Sequence, residues 1–200
     1  MSFEKIRQFE DYLSLYTGAP YVVMTDCCTH ALELCFRYDR VEECVFTPYT
    51  YISIPMLMHK LNIRYSYEFD GMSLGTNWTM SGEYPFHNTR IWDSARLLWE
   101  GMYRPGMMQC LSFGYNKPLA IGHGGAILLD DETAYHKLIR QRYDGRDLNT
   151  TPWEDQVEFE IGYHYRPTPE DAERGLELIT SIDQQPKYKD YPDLRKIIIK

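Results

Sequence analysis

The sequence predicts an α/β fold, a mainly parallel sheet with flanking helices, and three observations carry that expectation. Short apolar runs of buried-strand type alternate with segments of helical period, the order expected when crossover helices join the strands of one sheet. Hydrophobic residues make up 44%, aromatics 14% and charged residues 25%, which suits a packed core with a soluble surface. At about 150 residues per domain, 200 residues give one large domain or one domain and a tail.

Taken in order, Phe3, Ile6, Phe9, Leu13 and Tyr16 recur at helical spacing, so an amphipathic helix opens the chain and ends near Gly18-Ala19-Pro20. Tyr21–Met24 reads as a buried strand, and Thr29–Arg37 as a helix with Ala31, Leu32, Leu34 and Cys35 inward. The pattern repeats in Glu43–Phe46 (strand), Pro48-Tyr49-Thr50 (turn), Ile52–Lys60 (helix) and Asn62–Tyr67 (strand). Between Asp70 and Pro85, Gly71, Ser73, Gly75, Asn77 and Gly82 interrupt any period, and the stretch reads as loop. Strands follow near Thr89–Trp92, Met108–Phe113 and Gly125–Leu129, then a helix over Glu132–Arg142. Thr168-Pro169-Glu170-Asp171 combines a Thr cap, a first-position Pro and first-turn acids, and predicts a helix to about Ile182. Residues 1–184 are therefore expected as the domain and 185–200 as a basic tail. That tail finishes in Ile197-Ile198-Ile199, either an uncovered strand stub or a patch that packs on another chain.

The net charge of −8 disfavours a nucleic-acid footprint and leaves small molecules or proteins as partners. The N-terminus has an early acid and no apolar h-region, and no run of about 18 apolar residues occurs, so neither secretion nor membrane insertion is expected. Five cysteines, with Cys27 and Cys28 adjacent, suit no disulfide framework and point to a reducing cytosol. Cys27, Cys28 and His30 lack the spacers and second ligand pair of a metal site, so no metal is expected.

Three features, taken together, describe a cofactor site. The turn Asp26-Cys27-Cys28-Thr29 precedes a helix whose free N–H groups can hold a phosphate, with the Thr29 hydroxyl as a further donor; alternatively Thr29 only caps that helix. Asp93 follows the strand Ile91-Trp92, at the carboxyl end where open α/β sheets bind ligands. A carboxylate there can hold a pyridine nitrogen protonated, or it can cap a helix beginning at Ser94-Ala95-Arg96. Lys117 stands in the aromatic, Gly-rich loop Ser112–Gly125, where desolvation would favour a Schiff base with an aldehyde cofactor. The alternative is a surface lysine in a long turn.

Strand-turn-Thr-helix, then Asp, then Ser-Phe-x-x-x-Lys followed by Gly-x-Gly-Gly resembles the DegT/DnrJ/EryC1/StrS sugar aminotransferases, pyridoxal-phosphate enzymes of fold type I. Thr47–Tyr51, Gln141–Gly145 and Ile161–Arg166 resemble three further segments of that family. The resemblance runs from about Phe9 to Ile182. It implies that Lys117 binds the cofactor covalently and moves protons, that Asp93 pairs with the pyridine nitrogen, and that Tyr51 covers the ring. It also implies that Thr29 and Ser112 contact the phosphate. Cys28, where the family has Gly, and Arg96, where it has Gln or His, complete the implied cofactor-binding set; a cation at Arg96 suits phosphate or a substrate carboxylate. A relative that dehydrates sugars carries His at the lysine position, so Lys117 points to amino transfer.

The chain also departs from the family. Cys28 is expected to crowd its turn, Tyr143 replaces an Asn lent across a dimer interface, and His123 replaces an acid. The chain has about half the usual length, so the small C-terminal domain is expected to be largely missing. The resemblance implies an amino donor such as glutamate, a keto-sugar nucleotide acceptor, and a homodimer or a partner chain that supplies the missing domain. The competing expectation is a shortened, inactive relative that serves as a binding or partner subunit.

Overall fold

The computed structural model describes residues 3–68, 81–149, 152–182 and 191–200. Helix α1 (Glu4–Thr17) buries Ile6, Phe9 and Leu13 along one stripe, and Gly18 ends it in the left-handed conformation, φ 78°, with its N–H on Ser14 O at 2.9 Å. Strand β1 (Tyr21–Thr25) leads to α2 (Cys28–Tyr38), β2 (Glu43–Phe46), α3 (Ser53–Leu61) and β3 (Arg64–Tyr67). Then come β4 (Tyr84–Pro85), β5 (Ile91–Asp93), β6 (Met108–Ser112), β7 (Gly125–Leu129), α4 (Glu132–Gln141) and α5 (Pro169–Leu178). Thr168 caps α5 by accepting the Asp171 N–H, as its sequence predicts; beyond Leu178 the helix tightens into a 3₁₀ turn, Ile179–Ser181.

The main sheet has the order β1-β7-β6-β5-β4, and β2 pairs in parallel with β3. The extended backbone after β4 reaches His87, whose antiparallel bridge to Val45 ties β2–β3 to the larger sheet. Following the pairings from strand to strand, β1, β2, β3, β5 and β6 share one direction while β4 and β7 oppose it. The parallel preference therefore holds for direction, but the sheet is mixed in its pairings, because two reversed strands lie between co-directional ones. The expected loop over Asp70–Pro85 needs correction at its end: Tyr84–Pro85 is a strand, and residues 69–80 lie outside the described residues. Pro85 is tolerated there because a two-residue edge segment loses little ladder.

Side chains alternate across the sheet. Val23, Met108, Cys110, Ile127 and Leu129 join α2, α3 and α4 in one apolar cluster, and Val22, Met24, Leu111, Ala126 and Leu128 join α1 and α5 in the other. The result is three layers with the sheet in the middle. No described helix is long and apolar enough to cross a membrane.

One buried ion pair locks α1 to the sheet. Arg142 Nη1 donates to Glu10 Oε1 and to Met24 O (2.6 Å), and Glu10 Oε1 also accepts the Met24 N–H at 2.7 Å. Breaking it strands a buried carboxylate, so Arg142→Met should cost about 3–5 kcal/mol in urea unfolding, with Glu10→Gln added to it restoring part of the loss. A second lock is steric. A Cβ on Gly125 would fall 2.5 Å from Cys28 N and 2.6 Å from Cys27 C, so β7 can pass the β1–α2 turn only as glycine. Gly125→Ala should destabilise by about 1–3 kcal/mol or more, read from the same unfolding curves.

Candidate active site

The four turns that follow β1, β2, β5 and β6 open at the same edge of the sheet, since these strands point the same way. There a cavity of about 410 Å³ is lined by Cys28, Thr29, Tyr51, Asp93, Arg96, Ser112 and Lys117. All seven residues singled out from the sequence thus meet in one place, although they come from four separate segments.

At the start of α2 the cap is Cys27, in extended conformation, whose sulfur accepts the His30 N–H at 3.4 Å. This overturns the alternative in which Thr29 serves only as the cap. Thr29 is instead the second residue of the helix, and its hydroxyl donates to Ser53 Oγ at 3.2 Å, with Ser53 also on the cavity wall. With His30 N and Ala31 N both engaged by Cys27, the first helical N–H groups left without an intrahelical acceptor are those of Cys28 and Thr29. Cys28 does not crowd the turn: it is helical, and the close approach is absorbed by Gly125. Its thiol lies 3.7 Å from Cys110 O, and burial, then the charge of Asp93, push its pKa well up against the opposite pull of Lys117. It is a neutral thiol.

Asp93 ends β5 and is buried, 7% exposed. No helix begins there among the described residues, so the capping alternative fails; Asp93 Oδ1 accepts only the Ala95 N–H, at 2.9 Å. Its Oδ2 accepts the Tyr84 hydroxyl at 2.8 Å, and that hydroxyl is 2.6 Å from Thr50 Oγ1. Burial raises the Asp93 pKa, although Tyr84, the Ala95 N–H, Lys117 and Arg96 all act to lower it. A buried carboxylate in that condition is stabilised by a cation set directly against it. Burial and the Asp93 charge push Tyr84 well above its ordinary value, which keeps it a donor.

Lys117 belongs to the loop between β6 and β7, which are adjacent antiparallel strands. The loop is pinned by Phe113 N to Gly124 O (3.0 Å), Gly122 N to Phe113 O (2.8 Å) and Lys117 N to Gly114 O (3.0 Å). Lys117 therefore sits on a braced hairpin and not on a loose surface turn. Ser112, the last residue of β6, shares the cavity wall with it. Tyr51 is more than half exposed, at the mouth. Sequence reasoning missed Tyr84, Thr50, Ser53 and Tyr191, all on this wall. Their only local signal was polarity beside turns; their roles come from contacts between distant segments.

The family departures find local explanations. Tyr143 is 8% exposed in its own chain, with Phe3 edge-on at 5.3 Å and the guanidinium groups of Arg146 and Arg166 at 4.8 and 5.6 Å from its ring. His123 pairs with Asp171 of α5 at 3.0 Å. Beside the cap, Asp26, Cys27 and His30 place their ligand-type atoms within 4.8 Å of one another. His30 Nδ1 meets Asp26 at 2.7 Å, and its ring stacks on Tyr165 at 3.7 Å. Burial opposes the imidazolium, but the hydrogen bonds with Asp26 and Cys27 prevail and raise its pKa to about 9. A raised folded-state pKa stabilises the fold fully below the unfolded value, about 6.5, and the benefit is lost as pH rises through about 9. The melting temperature of the parent protein should thus exceed that of His30→Gln at pH 6 and converge with it above pH 9.

The sequence matches the family described as the DegT/DnrJ/EryC1/StrS aminotransferase family over residues 1–64 and 102–190. Asp93 and Arg96 lie in the unmatched stretch, so their membership of the site rests on geometry. No curated protein matches the sequence. Among solved structures, the chain is similar to the sugar aminotransferase CalS13 from Micromonospora echinospora, with 18% identity and a TM-score of 0.74 over 90% of this chain and 61% of that one. It is similar to GDP-4-keto-6-deoxymannose-3-dehydratase with bound GDP-perosamine, with 16% identity and a TM-score of 0.65 over 89% and 61%. It is also similar to NtdA from Bacillus subtilis with bound cofactor PMP, with 18% identity and a TM-score of 0.66 over 86% and 47%. The chain therefore spans about three fifths or less of the length of these relatives, and it shares their fold. With three quarters of its length matched, the chain belongs to the DegT/DnrJ/EryC1/StrS aminotransferase family.

Proposed function

We propose that the chain carries out pyridoxal-phosphate-dependent amino transfer, from glutamate to a keto-sugar nucleotide. The observation that supports it best is one cavity holding a lysine amine, a buried carboxylate and a helix N-terminus flanked by hydroxyls. Each fits one part of the cofactor. The Cys28 and Thr29 N–H groups, with the hydroxyls of Thr29, Ser53 and Ser112, suit a phosphate. Asp93 suits a protonated pyridine nitrogen, the adjacent cation that its buried carboxylate favours. When bound, the cofactor supplies an electron sink for the amino acid's α-carbon.

The protein's own groups do the rest. Asp93 holds the proton on the ring nitrogen, while Tyr84 and the Ala95 N–H fix the carboxylate's orientation. With the cofactor bound, Lys117 Nζ would take the α-proton of the donor and return a proton to the cofactor's aldehyde-derived carbon, on the other side of the shared nitrogen, a transfer worth about 10²–10⁴ in rate. Tyr51, at the mouth, covers the ring and helps exclude water. The sugar-nucleotide acceptor is supported by the relatives' descriptions, one of which names a bound GDP-sugar. In this reading a second copy, or a partner chain, completes the site; Val157, Phe159 and Ile161, exposed and alternating with acids on one extended segment, support an assembled form.

A second reading, a subunit that holds the cofactor without turnover, is favoured by Tyr143, which is used inside its own chain where the family lends an Asn. One experiment separates the two. With pyridoxal phosphate, the protein should absorb at about 400–430 nm, and borohydride should fix the cofactor on Lys117; Lys117→Ala should do neither. Glutamate should then bleach the band in the parent protein, on the order of a hundredfold slower in Asp93→Asn. A band that glutamate leaves unchanged selects the second reading, and no band in the parent protein rejects both.

A further inference from the structure

Residues 191–196 reach the cavity from beyond the segments that match the family. Tyr191 lines the cavity, and its hydroxyl accepts Arg96 Nε at 3.1 Å, with the guanidinium carbon 5.4 Å from the ring centroid. Three residues on, Leu194 is buried, 4% exposed, and its N–H donates to Pro48 O at 3.0 Å. Asp193 caps the 3₁₀ turn Leu194–Lys196 by accepting the Arg195 N–H, and the Arg195 guanidinium stands 6.0 Å from the Tyr49 ring. Arg96 lies in the turn after β5, and Pro48 and Tyr49 in the turn after β2. The segment is thus fastened at two points on the same rim of strand ends that holds the cavity. The expected basic tail is, in this part, a wall of the site; beyond it Ile198 is 83% exposed in the single chain, which fits either alternative.

We propose that Tyr191 is a positioning residue of the cavity, acting through Arg96, and that residues 191–196 form a strap that retains a phosphate-bearing ligand there. The proposal rests on the reading of the cavity as a pyridoxal-phosphate site. An arginine side chain loses much rotamer freedom when ordered, and the Tyr191 hydroxyl and ring hold Arg96 in place before any ligand arrives. A fixed cation on a rim from which water is partly excluded attracts an anion more strongly than a mobile one in open solvent. Leu194 anchors the strap and so holds Tyr191 in place.

The test uses the full chain and two readouts. Hydrogen exchange in the ligand-free protein reports docking: the Leu194 amide should exchange more than about tenfold slower than a free peptide. Release of pyridoxal phosphate, followed by loss of its visible band on dilution, reports retention. It should be about tenfold faster in Tyr191→Ala and Leu194→Asp, with Tyr191→Phe between them and the parent protein, the scale set by one hydrogen bond to a charged group. A Leu194 amide exchanging at the free-peptide rate, or variants releasing the cofactor at the parental rate, would overturn the strap. If the parent protein shows no band while Leu194 is protected, the cofactor reading fails, and inorganic phosphate binding by calorimetry decides. Weaker binding in Tyr191→Ala sustains the strap, and equal binding overturns it.

Discussion

The site depends on the contact at Gly125, where the backbone of β7 passes the β1–α2 turn at a distance that leaves no space for a side chain. That contact joins two parts with different chemistry. On one side is the helix N-terminus, with its partial positive charge and free N–H groups. On the other is the hairpin that carries Lys117 and begins at Ser112. Because β7 is hydrogen-bonded to β1 and β6 together, the amine and the helix end are held by one rigid body rather than by two loops. The tolerance of Cys28 follows from the same contact: the bulk that the turn cannot accept is removed from β7, so the helix residue can carry a side chain.

Charge in the cavity is arranged by burial more than by pairing. Burial raises the pKa of Asp93 despite the charges of Lys117 and Arg96, and Tyr84 and Cys28, which burial and the Asp93 charge push up, are both held neutral. Buried Glu83, also on the wall, is satisfied differently: it takes Ser94 Oγ at 2.8 Å, Arg104 at 2.5 Å and Gln109 at 3.3 Å. Two carboxylates on the same wall therefore have opposite characters. Glu83 is closed by three side-chain donors, whereas Asp93 takes one hydroxyl and one backbone N–H and, in the proposed function, also meets the cofactor's cation.

Much of this was legible in the sequence because it is local. The periodicities of α1, α2, α4 and α5, the Thr168 cap, and the apolar runs of β1, β6 and β7 depend on neighbours along the chain. Lys117, Asp93 and Thr29 could be ranked as candidates because each sits just past a strand, where open sheets place their ligands. What was not legible depends on long-range pairing. Tyr84 sits in a two-residue strand with no pattern to detect, and its role exists only because β4 lies beside β5. Ser53 matters because α3 brings it to Thr29, and Tyr191 because Leu194 docks on the turn after β2. The Cys27 cap escaped because sulfur is a poor acceptor and rarely chosen for that position.

The placement of β7 also governs the order in which the site can be assembled. The β6–β7 hairpin closes over residues 113–124, a far shorter span than that between β1 and β7, so the lysine-bearing half of the cavity forms from contacts of shorter range. The β1–β7 pairing joins Thr25 to Gly125, half the chain apart, and pairings of that range are the slow ones in folding. The helix end that would receive a phosphate is thus joined to the lysine-bearing hairpin by a contact of long sequence range. A phosphate ligand that bridges the two halves would bind only the completed fold, and mass action would then stabilise that fold as a whole.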